Sequence, residues 1–135
     1  MHAHANEKKV VDAMRIGFCQ FNVVYKDIET NMKTIETMLK DVNADIVVLP
    51  ELALTGYYFK EKEVLAGLSE ESRMAPMIER LRSIASKEDV AIVIGLGEVQ
   101  GDALYNTAYL IDHTGVIGKH SIFLCFPMTP VWSIR

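Results

Sequence analysis

Residues 47–58, VVLPELALTGYY, join an apolar run to a proline, a carboxylate and a threonine-glycine pair. The apolar residues 46–49 are typical of a buried strand in a parallel sheet. Thr55-Gly56 predicts that the chain turns back directly afterwards. In parallel α/β proteins ligands bind at the carboxyl ends of strands, so this position favours a functional role for Glu51. The alternatives are a surface glutamate or a cap of the following turn.

A strand and a helix are predicted before this segment. Residues 16–21 have the pattern of a short strand that is partly covered on both faces. Asp27 stands at an N-cap position, and the apolar residues after it recur at helical spacing over about four turns. A strand, a helix and a second strand in this order predict a right-handed crossover with parallel pairing.

A helix and an antiparallel hairpin are predicted after it. Pro76 fits the first turn of a helix that ends near Lys87. Residues 90–99 and 103–112 predict two strands, and the short glycine-containing connection between them requires antiparallel pairing. A tight turn then leads to a strand at residues 116–119. We therefore expect an α/β fold, layered in the α+β manner, with a mixed sheet.

Composition excludes several classes of function. The chain has 135 residues, half of them hydrophobic, and a net charge of -4, which suits one soluble globular domain. No basic cluster exceeds Lys8 and Lys9, which argues against a nucleic acid or a membrane as partner. No apolar run is long enough to span a bilayer, so we expect a cytoplasmic protein. Cys19 and Cys125 are interpreted as free thiols buried in the core.

Two further patterns are discounted as cofactor sites. Residues 1–14 are interpreted as an N-terminal extension, and its His2 and His4 alone do not complete a metal site. Residues 95–101, GLGEVQG, partly imitate a dinucleotide fingerprint but lead into a strand rather than a helix. We expect no metal and no other cofactor.

Four motifs together resemble a known family. LPELALTGY at residues 49–57 resembles the glutamate motif of the carbon-nitrogen hydrolase superfamily, the nitrilases and amidases. DIETNMKTIETMLK at 27–40 is similar to the first helix of that family, and ALYNTAYLID at 103–112 is similar to its hairpin strand. GVIGK at 115–119 resembles the approach to its catalytic lysine. The resemblance implies the N-terminal half of a four-layer α-β-β-α sandwich over residues 15–120.

The resemblance also implies Glu-Lys-Cys catalysis, with Glu51 as the general base, held partly buried. The family has a run similar to G-K-Y-R-K-x-H-L, whose second lysine stabilises the oxyanion. Here the sequence is GKHSIFLCF, so Ile122 falls at the catalytic lysine. Lys119 is the candidate oxyanion stabiliser if the local register shifts, although a three-residue slip reverses the face of a strand.

The family's nucleophilic cysteine follows its lysine by a few tens of residues, so Cys125 comes too early for that role. Residues 121–135 depart from the family pattern, which suggests a frameshift or truncation and a separate C-terminal tail. The function expected is hydrolysis of a non-peptide C–N bond of a small amide or nitrile, in a chain that is truncated and inactive alone. The alternative is a non-catalytic interaction or regulatory module. An exposed inner sheet face predicts a homo-oligomer, strand exchange or repacking by the tail.

Overall fold

The computed structural model describes residues 13–126. The described part contains three helices and five strands. The helices are α1 (Ile28–Leu39), α2 (Lys62–Leu68) and α3 (Glu71–Glu88), and the strands are β1 (Ile16–Phe18), β2 (Ile46–Val48), β3 (Ala91–Gln100), β4 (Ala103–Asp112) and β5 (Gly115–Phe123). His2, His4 and most of the predicted tail lie outside the described residues.

The five strands form one mixed sheet in the order β1-β2-β3-β4-β5. β1, β2 and β3 are parallel, whereas β3, β4 and β5 pair in antiparallel fashion. The predicted parallel pairing of the first two strands and the predicted hairpin are both confirmed. β5 is longer than the four residues predicted, because it pairs with β4 as far as Phe123.

Helices α1 and α3 cover one face of the sheet and enclose the main core with it. The buried cluster includes Met32 and Ile35 from α1, Leu81 from α3, and Ile92 and Ile94 from β3. No helix within residues 13–126 is long and apolar enough to cross a membrane.

The helix boundaries agree with the sequence in one case and correct it in the other. Asp27 caps α1 as predicted, since its Oδ1 accepts a hydrogen bond from the Thr30 backbone N at 3.0 Å. Pro76 does not lie in the first turn of α3, because that helix already begins at Glu71. A proline inside a helix removes one backbone hydrogen bond, and α3 continues past this gap to Glu88.

The face of the sheet opposite α1 and α3, here called the open face, exposes apolar side chains. Phe18 is 77% exposed, Ile16 is 68% exposed and Ile122 is 61% exposed. The prediction that the first strand is partly covered on both faces is therefore wrong for the face that carries Ile16 and Phe18. Isolated exposed apolar residues are ordinary, but several together on one sheet face mark a contact surface.

Asn31 links α1 to two other chain segments, one that precedes the helix and one that follows β2. Its Oδ1 accepts from the Val24 backbone N at 2.7 Å, and its Nδ2 donates to the carbonyls of Val24 and Leu54, both at 2.8 Å. Asn31 itself is buried. Leu54 belongs to the turn that follows Glu51, so this side chain fixes the position of that turn relative to the helix.

Asn31→Ala should destabilise the chain strongly, because it removes the partner of the buried Leu54 carbonyl and of the part-buried Val24 backbone N. We expect a loss of about 2–4 kcal/mol in the free energy of unfolding, measured by urea titration. Asn43→Ala is the matched control at an exposed site and should change it by less than about 0.5 kcal/mol. Equal effects of the two substitutions would contradict this role of Asn31.

Candidate active site

Glu51 lies three residues beyond the end of β2, at the carboxyl edge of the parallel strands. Residues 51–56, here called the Glu51 turn, are closed by hydrogen bonds from Thr55 N and Gly56 N to Leu52 O, at 3.1 and 2.9 Å. Ala53 N also donates to Gly95 O of β3 at 3.0 Å. The turn is therefore attached to the sheet where β3 runs beyond the short strand β2.

Gly95 allows the Glu51 turn to pack directly on β3. A Cβ atom at Gly95 would lie 2.8 Å from Glu51 Cα and 3.1 Å from Leu52 N. The first of these distances is shorter than side chains tolerate, and the atoms it meets are backbone atoms that cannot rotate away. A side chain at Gly95 would therefore displace Glu51.

The Glu51 carboxylate contacts Asn106 on β4. Asn106 Nδ2 donates a hydrogen bond to Glu51 Oε1. In the sheet register Asn106 lies opposite Gly97 of β3 and Ile122 of β5. Side chains alternate between the faces of a strand, so Ile122 shares the open face with Asn106.

Glu51 itself is an exposed residue, which corrects the expectation of partial burial. The physical reason is that the open face around it is not covered by residues 13–126. The side chain nevertheless lies at the carboxyl end of a parallel strand, where ligands bind in α/β proteins, and it is hydrogen-bonded to Asn106 of β4.

Lys119 is not brought to Glu51. Lys119 lies opposite Tyr109 in the register, on the face of the sheet opposite to that of Asn106. Its Nζ forms an ion pair with Glu98 Oε1. The residue of β5 that lies beside Asn106 is Ile122.

Glu98 is a nearly buried carboxylate that the sequence analysis did not identify. Its side chain is 13% exposed, and Oε2 accepts hydrogen bonds from Thr107 Oγ1 at 2.7 Å and Ser121 Oγ at 3.1 Å. Burial alone would raise the pKa of Glu98, but hydrogen bonds donated by Lys119, Thr107, Gln100 and Ser121 outweigh it and lower the pKa to about 2. The available signal was a lone carboxylate within an otherwise apolar strand.

Tyr109 lies on the same face as Glu98 and is itself buried. Burial and the negative charge of Glu98 raise the pKa of Tyr109 to about 12. The carboxylate of Glu98 thus belongs to a network that joins three strands on the helix-covered face.

The two cysteines occupy different environments. Cys19 follows β1 and packs against the main core, and partial burial raises the pKa of its thiol, which agrees with the predicted packing role. Cys125 is exposed, so its predicted burial is wrong. Its neighbours Leu124 and Phe126 pack instead against a second buried cluster, which includes Leu52 and Leu104. Neither thiol takes part in the hydrogen bond of the Glu51 carboxylate.

A cavity of about 600 Å³ lies beside the Glu51 turn. Its lining includes Tyr25, Tyr57 and Tyr58 together with Lys26 and Lys60. Tyr57 and Tyr58 thus give this cavity an aromatic wall. Phe59, by contrast, is buried and stacks on Tyr25 with ring centroids 5.0 Å apart. Within residues 13–126, no group of three or more His, Cys, Asp or Glu side chains is placed to hold a metal ion.

The Glu98 network makes a specific contribution to acid stability. The pKa of Glu98 is lower in the folded chain than its ordinary value of 4.5, so the stabilisation is complete above pH 4.5 and is lost as the pH falls towards 2. Glu98→Gln has no carboxyl group at this position, so it loses this pH-dependent stabilisation. The difference in the free energy of unfolding between the two chains should shrink by about 2 kcal/mol from pH 6 to pH 2.5 in urea titrations. A difference that is independent of pH would contradict the network.

The sequence model of the carbon-nitrogen hydrolase family matches residues 15–123. A nitrilase from Pyrococcus abyssi is 31% identical over 110 residues, which cover 79% of this chain and 42% of that protein. The 2-oxoglutaramate amidase of Bacillus subtilis is 36% identical over 107 residues, covering 77% and 40%. The crystal structure of an amidase from Nesterenkonia sp. superposes with a TM-score of 0.68 at 26% identity, covering 80% of this chain and 42% of that one. The chain thus spans about two-fifths of the length of these relatives. It belongs to the carbon-nitrogen hydrolase family.

Proposed function

We propose that this chain carries the general-base half of a carbon-nitrogen hydrolase site for a small amide or nitrile, and that Glu51 is the base. The observation that carries the proposal is the position of Glu51, at the carboxyl end of a parallel strand and hydrogen-bonded to Asn106. Membership of the family supports the reaction class.

The proposed chemistry needs three groups. A carboxylate takes the proton of a thiol, the thiolate attacks the amide or nitrile carbon, and an ammonium stabilises the charge that develops. The carboxyl then gives that proton to the leaving nitrogen, so that ammonia or an amine departs, and the restored carboxylate takes a proton from the water that hydrolyses the acyl-enzyme. Glu51 serves each of these proton transfers.

In the part of the chain that the structure describes, the side chains beside Glu51 and Asn106 do not supply the other two groups. Ile122 stands beside Asn106, and the ammonium of Lys119 is paired with Glu98 on the other face of the sheet. We assign Lys119 to that ion pair rather than to the oxyanion. We therefore propose that turnover requires a lysine and a cysteine from outside residues 13–126, and that the chain is inactive alone.

The test is a chimera in which residues 15–118 replace the matching part of the Bacillus subtilis amidase. The rest of that relative is expected to supply the lysine and the cysteine. We expect ammonia release from 2-oxoglutaramate, and a fall of roughly 10²–10⁴-fold in Glu51→Gln, since that substitution removes the base. Glu63→Gln, which changes another exposed carboxylate, should leave the rate within about twofold.

Two results would contradict the proposal. One is a chimera that melts cooperatively but releases no ammonia, and the other is a chimera whose rate is insensitive to Glu51→Gln. The unfused chain is the negative control. Ammonia release by that chain, lost in Cys125→Ala, would show that its own thiol completes the site.

A second candidate function is a self-associating module, favoured by the open face. The five strands lie about 4.8 Å apart, and their lengths range from about 10 Å for β1 and β2 to about 30 Å for β3, β4 and β5. They present roughly 500 Å² on one copy, so two copies would bury on the order of 1,000 Å². That area is at the lower limit for a specific interface. We propose that the occupant is a second copy of the chain, whose open face has the same apolar surface.

Phe18→Gln should weaken this association, because Phe18 is an exposed apolar side chain of the open face. We expect the unmodified chain to sediment as a dimer at micromolar concentration and the variant to sediment as a monomer. Met38→Gln is the matched control on α1, away from the sheet face, and should remain dimeric. A monomeric unmodified chain would exclude the second function.

A further inference from the structure

We infer that Asn106 is a positioning residue for Glu51, which holds Oε1 and leaves Oε2 as the oxygen that exchanges the proton. The reaction in question is the one proposed above, and the inference rests on it. The contact itself can be tested without any turnover.

Asn106 is carried by a well-fixed strand. β4 is paired on both sides, with β3 and with β5. The residues next to Asn106 are anchored on the opposite face, since Thr107 bonds Glu98 and Ser121, and the ring of Tyr105 packs edge-on against Phe123 at 5.8 Å. Asn106 therefore has little freedom to move with respect to the sheet.

The path from Asn106 to Glu51 crosses β3 over two residues without side chains. Gly97 lies directly opposite Asn106 in the register, and Gly95 lies opposite Ala108 on the same face. A Cβ atom at Gly95 would meet Glu51 Cα, and one at Gly97 would meet Ser69 Oγ at 2.0 Å. The Gly-Leu-Gly sequence at 95–97, discounted above as a nucleotide motif, thus has a different use. Gly95 lets the backbone of Glu51 pack directly on β3, and Gly97, opposite Asn106, admits the side chain of Ser69.

The chemistry of the pair suits a general base. An amide N–H is neutral at every pH, so it donates to the carboxylate without competing for the proton. With Oε1 engaged, a proton is added at Oε2. Holding an exposed side chain in one rotamer also removes an entropic cost that would otherwise be met during the reaction.

The contact predicts a signal in the full 135-residue chain. In ¹⁵N-labelled chain the side-chain amide of Asn106 should shift as Glu51 gains a proton on acidification. The shift should vanish in Glu51→Gln and persist in Glu63→Gln. The exposed side chain of Asn43 is the reference amide. An Asn106 signal with the same pH response in Glu51→Gln would overturn the inference.

Kinetics of the chimera then separate this inference from the proposed function. Asn106→Leu should lower kcat about 10- to 100-fold with KM unchanged, because the base is present but misplaced. An active chimera that needs Glu51 but tolerates Asn106→Leu would refute positioning and leave the function intact. An Asn106 signal that follows Glu51 in a chimera without turnover would uphold the contact and refute the function.

Discussion

The arrangement depends on backbone packing at Gly95. Because β2 is short, β3 extends beyond it, and the Glu51 turn takes the place of further pairing along that edge. The turn can do so only because Gly95 has no Cβ atom. The backbone of Glu51 and Leu52 occupies the space that such an atom would fill. Asn31 holds the turn from the other side through Leu54. The backbone that carries the Glu51 side chain is thus held by β3 on one side and by Asn31 on the other.

The alternation of side chains along β5 decides which residue faces that carboxylate. Lys119 and Ser121 share the face of Glu98, and Ile122 shares the face of Asn106. A shift by one residue would exchange these sets, but the ion pair of Lys119 with Glu98 and the hydrogen bonds of Thr107 oppose it. The residue of β5 beside Asn106 is therefore apolar, and the charged Lys119 lies on the helix-covered face.

Features encoded by local patterns could be predicted from the sequence. The cap at Asp27, the crossover around residues 46–49 and the hairpin at 100–102 follow from neighbouring residues alone, and all three are present. The position of Glu51 at a strand end could be predicted for the same reason. The start of α3 was predicted wrongly from Pro76, because the preference of one residue for a helix start is weaker than the packing that begins the helix at Glu71.

What could not be predicted depends on residues distant in sequence. The Glu51 to Asn106 bond joins residues 55 apart, and the pair of Glu98 with Lys119 requires the register of β4 and β5. The exposure of Glu51 and Cys125 depends on what covers the open face and the end of β5, which no local pattern reports. Gly95 and Gly97 are visible in the sequence, but their use is evident only once β3 lies between β2 and β4.

Asn106 joins the Glu51 carboxylate to the open face of the sheet, and we infer that a long side chain at position 122, beside Asn106, would reach that carboxylate. A crystal structure of the Ile122→Lys variant tests it most directly, because the new side chain reports its own position. The account predicts the ammonium within about 4 Å of the Glu51 carboxylate, with Lys119 still paired to Glu98. An ammonium on the helix-covered face, or a Glu51 side chain directed away from Asn106, would contradict it.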